Sequence, residues 1–465
     1  MKKNDLITLK IEDITNLGFG VARCGGAVVF VSDTVPGDEV EAKVIKVSSS
    51  YSVARVERYL VRSSFRAERC PNSACKSCAY KNIDYEREKK IKEDGVRADF
   101  IKAGLSEVEI MPLVGSPCEC EYRNKAQYPI ASDGKGGYKI GFYAPKSHRV
   151  TEAADCLLAP KVFSEIIAEL RTFFGKYSLS VYDEESGNGL LRHIYLRRGE
   201  VSEEILLTLV INGTSLPHAD ELCEKLLAKF PKIVGVLLNI NKENTNVILG
   251  EKFITLRGRD YIIDTLAGVD LRISAPAFYQ VNHDAAELLY AKAKELAMPT
   301  KNDLLLDLYC GAGSIGLSMA KDVGELIGIE IVEPAVVCAR QNAADNGIAN
   351  ARFFAGDAKN TEKMLDSAEC ELGRKIEPSI IILDPPRAGC AEELVRYVAS
   401  LNPQRIVYIS CNPTTLARDV KIFNELGFSC SDVTPFDLFP LTGHVESVVR
   451  LTRGGDTTTM FAYGG

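Results

Sequence analysis

The stretch that most narrows the fold of this 465-residue chain is an apolar run that breaks into a glycine loop and reopens as a helix. Leu304-Leu305-Leu306-Asp307-Leu308-Tyr309 reads as a buried strand, and Cys310-Gly311-Ala312-Gly313-Ser314-Ile315-Gly316 follows at once. Glycines 311, 313 and 316 fit the spacing G-x-G-x-x-G, in which small residues let the backbone approach a nucleotide and let the helix close onto the strand. Leu326 to Glu330 gives a second strand with an acid at its tip, placed to accept hydrogen bonds from a ribose. Gly356-Asp357-Ala358 ends a third strand with an acid suited to an adenine amino group, and Ile380 to Asp384 ends a fourth with Asp384-Pro385-Pro386-Arg387. Strands alternating with helices from about Leu271 onward predict a Rossmann-like α/β domain.

A nicotinamide-dinucleotide enzyme and an S-adenosylmethionine enzyme share the glycine loop and the first acid. The repeated acid at successive strand tips favours a methyltransferase. Arg405-Ile-Val-Tyr-Ile-Ser-Cys-Asn-Pro413 then supplies a further buried strand that delivers Cys411 to its carboxyl end, where open α/β sheets bind ligands. A free cysteine is more often core filler, so this thiol becomes a candidate nucleophile through its position rather than its type.

The length exceeds a single core, and three parts are expected: residues 1–62, 63–270 and 271–465. Residues 6 to 60 read as short strands between glycine turns, the pattern of a small β-barrel. The middle part mixes α and β, with Arg123, Lys125, Arg192, His193, Arg197 and Arg198 as its suggestive polar positions and a charged helix over 84–104 burying Ile91, Phe100 and Ile101. No apolar run reaches the roughly 20 residues of a membrane span, and Met-Lys-Lys-Asn-Asp lacks the apolar core of a signal peptide, so a cytoplasmic monomer is expected. The net charge of −7 speaks against a polyanion partner, yet residues 1 to 100 hold 18 Lys+Arg against 15 Asp+Glu, so nucleic acid, if bound, would first meet this end. Fourteen cysteines in a reducing compartment argue for thiols and metal ligands. Cys70, Cys75 and Cys78, spaced C-x4-C-x2-C, form a candidate metal site whose fourth ligand could be Cys118, Cys120 or Cys156, and thiolates serve zinc and iron–sulfur alike. The polar tail after Arg453 is expected to be disordered.

Asp-Pro-Pro-Arg-Ala-Gly-Cys at 384–390, Ser-Cys-Asn-Pro at 410–413 and Thr-Gly-His-Val-Glu at 442–446 together resemble the RNA uracil-5-methyltransferase family. Phe278-Tyr279-Gln280-Val281-Asn282 is similar to that family's Phe-x-Gln-x-Asn segment. Leu17 to Arg23 and Val35-Pro-Gly-Asp-Glu-Val40 resemble the TRAM domain, an OB-like RNA-binding module. The resemblance implies a class I methyltransferase domain behind a mixed α+β central domain and an OB-like barrel. It implies Cys411 as nucleophile and Glu446 as base, with Gln280, Tyr309, Glu330 and Asp384 at cofactor- or substrate-contacting positions and Asp357, Gly311, Gly313 and Ser314 beside them. Ser314 stands where many members carry asparagine. In the ribosomal branch the cysteines hold a [4Fe-4S] cluster, and Asp155-Cys156-Leu157 resembles the segment giving its fourth ligand.

The expected reaction is S-adenosylmethionine-dependent methylation of carbon 5 of a uridine, in 23S rRNA, with tRNA as the alternative. Carbon 5 of uracil is a poor nucleophile, but a thiolate added at carbon 6 makes it an enolate that can attack a sulfonium methyl. The rival readings are a non-catalytic TRAM-bearing RNA-binding protein and another iron–sulfur RNA-modifying enzyme. The presence of both Cys411 and Glu446 argues against the first. The spacing of the cysteines and their place after the barrel argue against the radical methylthiotransferases.

Overall fold

The computed structural model describes residues 1–145, 147–357 and 363–453; Ala358 and the polar tail beyond Arg453 lie outside them. Its largest sheet has nine strands. Eight run in the order Ala351–Ala355, Glu325–Glu330, Leu304–Leu308, Ile380–Leu383, Arg405–Ser410, Glu446–Arg453, Asp432–Phe436 and Glu109–Ile110, and Phe428–Ser429 pairs with Glu446–Arg453 off this path. The first five are mutually parallel, and all but the edge strand Ala351–Ala355 are almost wholly buried, which is why those four read as largely apolar runs: Ile380–Leu383 is Ile-Ile-Ile-Leu with every residue buried. Helices cover both faces. His283–Ala297, Ser314–Ala320 and Glu333–Asp345 pack on one side, and Glu392–Ser400 and Pro413–Glu425 on the other. After the Leu304–Leu308 strand the chain builds outward one way and then returns to add Ile380–Leu383 on the other flank, so the switch of direction opens a crevice between these two strands.

The amino-terminal sheet joins Leu6–Lys10, Glu39–Val47, Tyr51–Val61, Ala27–Ser32, Gly20–Cys24 and Asp13–Ile14 in that order, with a parallel pair, Ala27–Ser32 on Tyr51–Val61, among antiparallel neighbours. Alternation fills its interior: Val40, Ala42 and Val44 are buried on one strand, and Val40 and Ala42 meet Leu9, Val29 and Val31. At its exit the fully buried Asp38 accepts hydrogen bonds from the Val35 and Ser63 amides and from Arg66, tying the barrel to the cysteine segment that follows.

The middle of the chain forms a seven-stranded sheet, with Lys161–Lys176 and Ala219–Lys229 packed on its core. Two of its suggestive basic residues are internal ties rather than surface groups. Arg197 is fully buried and donates to Tyr195 Oη and to the Ala275 and Ala277 carbonyls, while Arg192 donates to the Asn241 and Glu243 carbonyls. Burial pushes the His193 ring down to about 4, so it is neutral near pH 7.

The helix expected over 84–104 forms at Tyr85–Ala103, capped by the Asp84 side chain and ended by Gly104 in the left-handed region. Its buried face differs from the one read in the sequence. Glu88, Lys92, Val96 and Phe100 point inward, one turn apart, and Ile101 is exposed. The helix packs on the Pro413–Glu425 side of the large sheet, where Val96 and Phe100 join that core.

Candidate active site

Register places the functional side chains along one edge of the large sheet. Leu308 pairs with Ile329 on one flank and Leu383 on the other, so the next positions, Tyr309, Glu330 and Asp384, step off together at the crevice. One strand further on, Ser410 pairs with Ser447. The strand Glu446–Arg453 runs antiparallel and therefore begins where its parallel neighbour ends, setting Glu446 beside Cys411. Tyr309 has φ +64°, a costly conformation for an aromatic residue of the kind that concentrates at functional sites. Glu330 braces the turn below it, accepting from the Gly311 amide at 3.1 Å and the Val332 amide at 2.9 Å. Gly313 has φ +82°, and a Cβ there would lie 3.0 Å from the Phe353 ring, so only glycine lets the loop close.

A cavity of about 40 Å³ at this loop is lined by Phe278, Tyr290, Tyr309, Gly311, Ser314 and Asp384, among others. Ser314 Oγ is 2.9 Å from Tyr290 Oη. Gln280 is buried close by, its carbonyl held by Asn124 Nδ2 at 2.7 Å. Asp357, two residues beyond the Ala351–Ala355 strand, sits partly exposed on the same edge.

Cys411 opens onto a second, larger cleft of about 570 Å³. Arg387 and His444 share its wall with the thiol, and Asp13 and Asn16 of the barrel and Arg87 and Lys92 of helix Tyr85–Ala103 form the opposite side. Asn412 and Pro413 end the strand, as expected, by opening a helix: the Asn412 side chain caps the Thr414 amide and donates to the Arg387 carbonyl at 2.9 Å, which fixes the thiol's loop to the Asp-Pro-Pro-Arg loop. Burial raises the Cys411 thiol and the neighbouring Glu446 raises it further, while Arg387 pulls it down. The free enzyme thus holds a protonated thiol, although addition requires a thiolate. Glu446 is buried rather than a surface residue, and burial together with Asp384 pushes its carboxyl well above the usual range. His444 is held by Arg387 at 3.2 Å and kept neutral by burial and by that cation. Cys390, the other cysteine of the Asp-Pro-Pro-Arg segment, is buried with its thiol pushed up to about 12, and its amide is held by Asp419.

Cys70, Cys75, Cys78 and Cys156 line one cavity of about 290 Å³, together with Arg123, Leu158 and Leu441. Cys118 and Cys120 are exposed and do not line it. Among the described residues no three His, Cys, Asp or Glu are arranged to hold a metal ion.

The tRNA (uracil-5-)-methyltransferase family profile matches residues 225–454, and the TRAM domain profile matches residues 2–56. An "uncharacterized RNA methyltransferase" of Halalkalibacterium halodurans is 36% identical over 454 residues, 97% of this chain and 98% of its own length. One from Streptococcus pyogenes serotype M1 is 38% identical over 456 residues, with 97% of each chain covered. The chain belongs to the RNA uracil-5-methyltransferase family. The fold of this methyltransferase is shared along its length by the Pyrococcus abyssi tRNA (uracil-54, C5)-methyltransferase, solved in complex with S-adenosyl-L-homocysteine. That structure matches with a TM-score of 0.77 and 27% identity over 96% of this chain and 99% of that one. The barrel is a TRAM domain, and the large sheet is that of a class I methyltransferase.

Asp384 of this methyltransferase offers a test of the crevice that does not depend on activity. Burial pushes its carboxyl up to about 7 from an ordinary value of 3.8. The folded state therefore binds a proton that the unfolded chain has released, so stability is fully present below about pH 4 and falls as pH rises toward 7. Asp384→Asn is expected to raise unfolding free energy by about 2–4 kcal/mol at pH 8 and by almost nothing at pH 4. Denaturant unfolding of both proteins at the two pH values checks this, and an equal gain at both would place the effect elsewhere. Asp307 and Lys92 are further buried ionisable residues that sequence reasoning did not single out. Burial raises Asp307 to about 8, and it accepts from the Gly316 amide at 3.0 Å. Its only signal was an acid inside an otherwise apolar strand.

Proposed function

We propose that this protein methylates carbon 5 of a uridine in RNA through a covalent bond between Cys411 Sγ and carbon 6 of the uracil. The observation carrying this reading is the register that sets the one cleft-facing thiol beside a buried carboxyl at the edge of the nucleotide-binding sheet. S-adenosylmethionine supplies the electrophilic methyl. Residues present to hold it are Glu330 toward ribose hydroxyls, Asp357 toward the adenine amino group, and Tyr309, Gln280 and Ser314 around the glycine loop of Gly311 and Gly313. Cys411 as thiolate adds to carbon 6, and the ring π electrons move toward the carbon-4 oxygen as an enolate. Asp384, partly protonated near neutral pH, can donate to that edge of the ring. Carbon 5 takes the methyl as the carbon–sulfur bond electrons return to sulfur. Glu446 removes the carbon-5 proton, the double bond re-forms and the thiolate leaves. Arg387 favours the thiolate and keeps His444 neutral. A base stacked in a helix cannot offer carbon 6 to a thiol, so the uridine enters the cleft flipped out or single-stranded.

The substrate we propose is 23S rRNA, supported by the similarity of the barrel and cysteine arrangement to the ribosomal branch of the family. A tRNA target is the second reading, favoured by the specificity of the Pyrococcus abyssi enzyme. Mapping 5-methyluridine in ribosomal and transfer RNA from a strain lacking this protein decides between them: loss from 23S rRNA alone supports the first reading, and loss from tRNA alone overturns it.

Cys70, Cys75, Cys78 and Cys156 are proposed to hold a [4Fe-4S] cluster. Their fit rests on four thiols lining a single cavity of about 290 Å³, with the Arg123 guanidinium beside Cys78 and Cys156. A cluster there would cross-link the segments around residues 70–78 and 156 and supply no chemistry to methyl transfer. Protein purified without oxygen is expected to carry about four irons per chain with matching acid-labile sulfide. Stoichiometric zinc without sulfide would contradict this.

A further inference from the structure

The segment from Asp437 to Glu446, which ends in the candidate base, is held at nearly every residue by other parts of the chain. Lys92 Nζ, with its side chain 1% exposed, lies 2.8 Å from Asp437 Oδ1 and 2.6 Å from Glu88 Oε1, and donates to the Phe439 carbonyl at 3.2 Å. Glu88 Oε2 accepts from the Leu441 amide at 3.2 Å and from Arg69. Asn282 Nδ2 donates to the Leu438 carbonyl at 3.1 Å, Tyr122 Oη to the Pro440 carbonyl at 2.9 Å and the Tyr80 amide to the Leu441 carbonyl at 2.9 Å. At Gly443 a Cβ would fall 2.2 Å from the Asn16 carbonyl, so the barrel presses directly on this segment.

A buried set of ions adds little net stability over apolar filling of the same volume, whereas directional, charge-assisted hydrogen bonds fix geometry closely. What this set fixes is the path of the backbone into Glu446. We propose that Lys92, with Glu88 and Asp437, is a positioning residue for the elimination step: the triad sets the approach of the Glu446 carboxylate to the carbon-5 proton. The proposal rests on the reading of Glu446 as the base. Removing the constraint leaves Cys411 and the glycine loop in place, because neither is bonded to the triad, so thiol addition and methyl transfer proceed while elimination slows. A purely structural triad predicts something else, a lower melting point with all steps affected alike.

The test uses the full chain with its target RNA and S-adenosylmethionine. Lys92→Gln/Asp437→Asn removes one buried charge of each sign and leaves the Arg69–Glu88 pair intact. Binding of S-adenosylmethionine is expected to stay within about twofold of the unaltered protein, and turnover is compared at saturating RNA because Lys92 also lines the cleft that receives the uridine. Turnover is expected to fall about 10²-fold, the scale of an ångström's misplacement, with a denaturation-resistant protein–RNA adduct accumulating on ordinary uridine. Lys92→Arg, which keeps the charge and the donors, should restore most of the turnover. Turnover within about threefold of normal would overturn the proposal, as would a loss of turnover without adduct. If the double variant does not fold, Asp437→Asn, which keeps the Lys92–Glu88 pair, is read the same way, and absence of adduct then counts against the proposal. Glu446→Gln runs alongside. Adduct there but not in the triad variants overturns the positioning role alone, whereas no adduct in Glu446→Gln overturns the reading on which it rests.

Discussion

Cys411→Ala is expected to lower methylation by a factor on the order of 10⁴ to 10⁶, the scale of losing a covalent nucleophile, and to abolish every trace of covalent protein–RNA species. S-adenosylmethionine should still bind within about twofold, because the glycine loop lies two strands and Glu330 three strands away from the thiol. Gel analysis under denaturing conditions with 5-fluorouridine RNA checks the first point. Fluorine cannot leave as a proton does, so the unaltered enzyme should trap and the variant should not. No other cysteine is set to replace it, since Cys390 is buried and the thiols of the 290 Å³ cavity line a separate void. Adduct formation by Cys411→Ala would transfer the nucleophile elsewhere.

Glu446→Gln separates the second half of the reaction from the first. Addition and methyl transfer need no base at carbon 5, and elimination does, so turnover is expected to fall 10²- to 10⁴-fold while methylated adduct builds up on natural uridine. The pH profile of the unaltered enzyme follows from the same group. Its carboxyl is raised well above the ordinary value, chiefly by burial and then by Asp384, and only the ionised form can take the proton. The Cys411 thiol is raised too and must also ionise. Both ionisations demand alkali, so the rate should climb with pH until loss of the proton that Asp384 donates, near pH 7, opposes it. In Glu446→Gln the slow elimination should lose that dependence on the carboxyl. A rate that falls as pH rises toward 6 would contradict both assignments.

What could be read beforehand followed from local chemistry. Four adjacent parallel strands buried on both faces are necessarily apolar runs, and a loop that turns sharply under a helix requires its glycines, so the nucleotide-binding sheet and the positions of Tyr309, Glu330 and Asp384 were visible in the sequence. Cys411 was visible for a similar reason, at the end of such a run and before Asn-Pro. Glu446 was not. Nothing in Thr-Gly-His-Val-Glu announces burial, which arises because its strand is inserted antiparallel between Arg405–Ser410 and Asp432–Phe436, a non-local event. Helix Tyr85–Ala103 misled for the same reason. Glu88 and Lys92, four residues apart, look like any solvated pair, and they are buried because Asp437, 345 residues from Lys92, closes over them. The cleft wall made by Asp13 and Asn16 joins the first residues of the chain to nearly the last and leaves no local trace.

The covalent claim is central, and one measurement addresses it most directly. Glu446→Gln protein is mixed with unmethylated RNA from a strain lacking this enzyme and with S-adenosylmethionine, then denatured and digested, and the cross-linked peptide is sequenced by mass spectrometry. The account predicts a peptide spanning residues 405–418 with a uridine bonded to Cys411 and carrying the transferred methyl group. A uridine attached to any other residue, or methylated RNA formed with no cross-linked peptide, would contradict it.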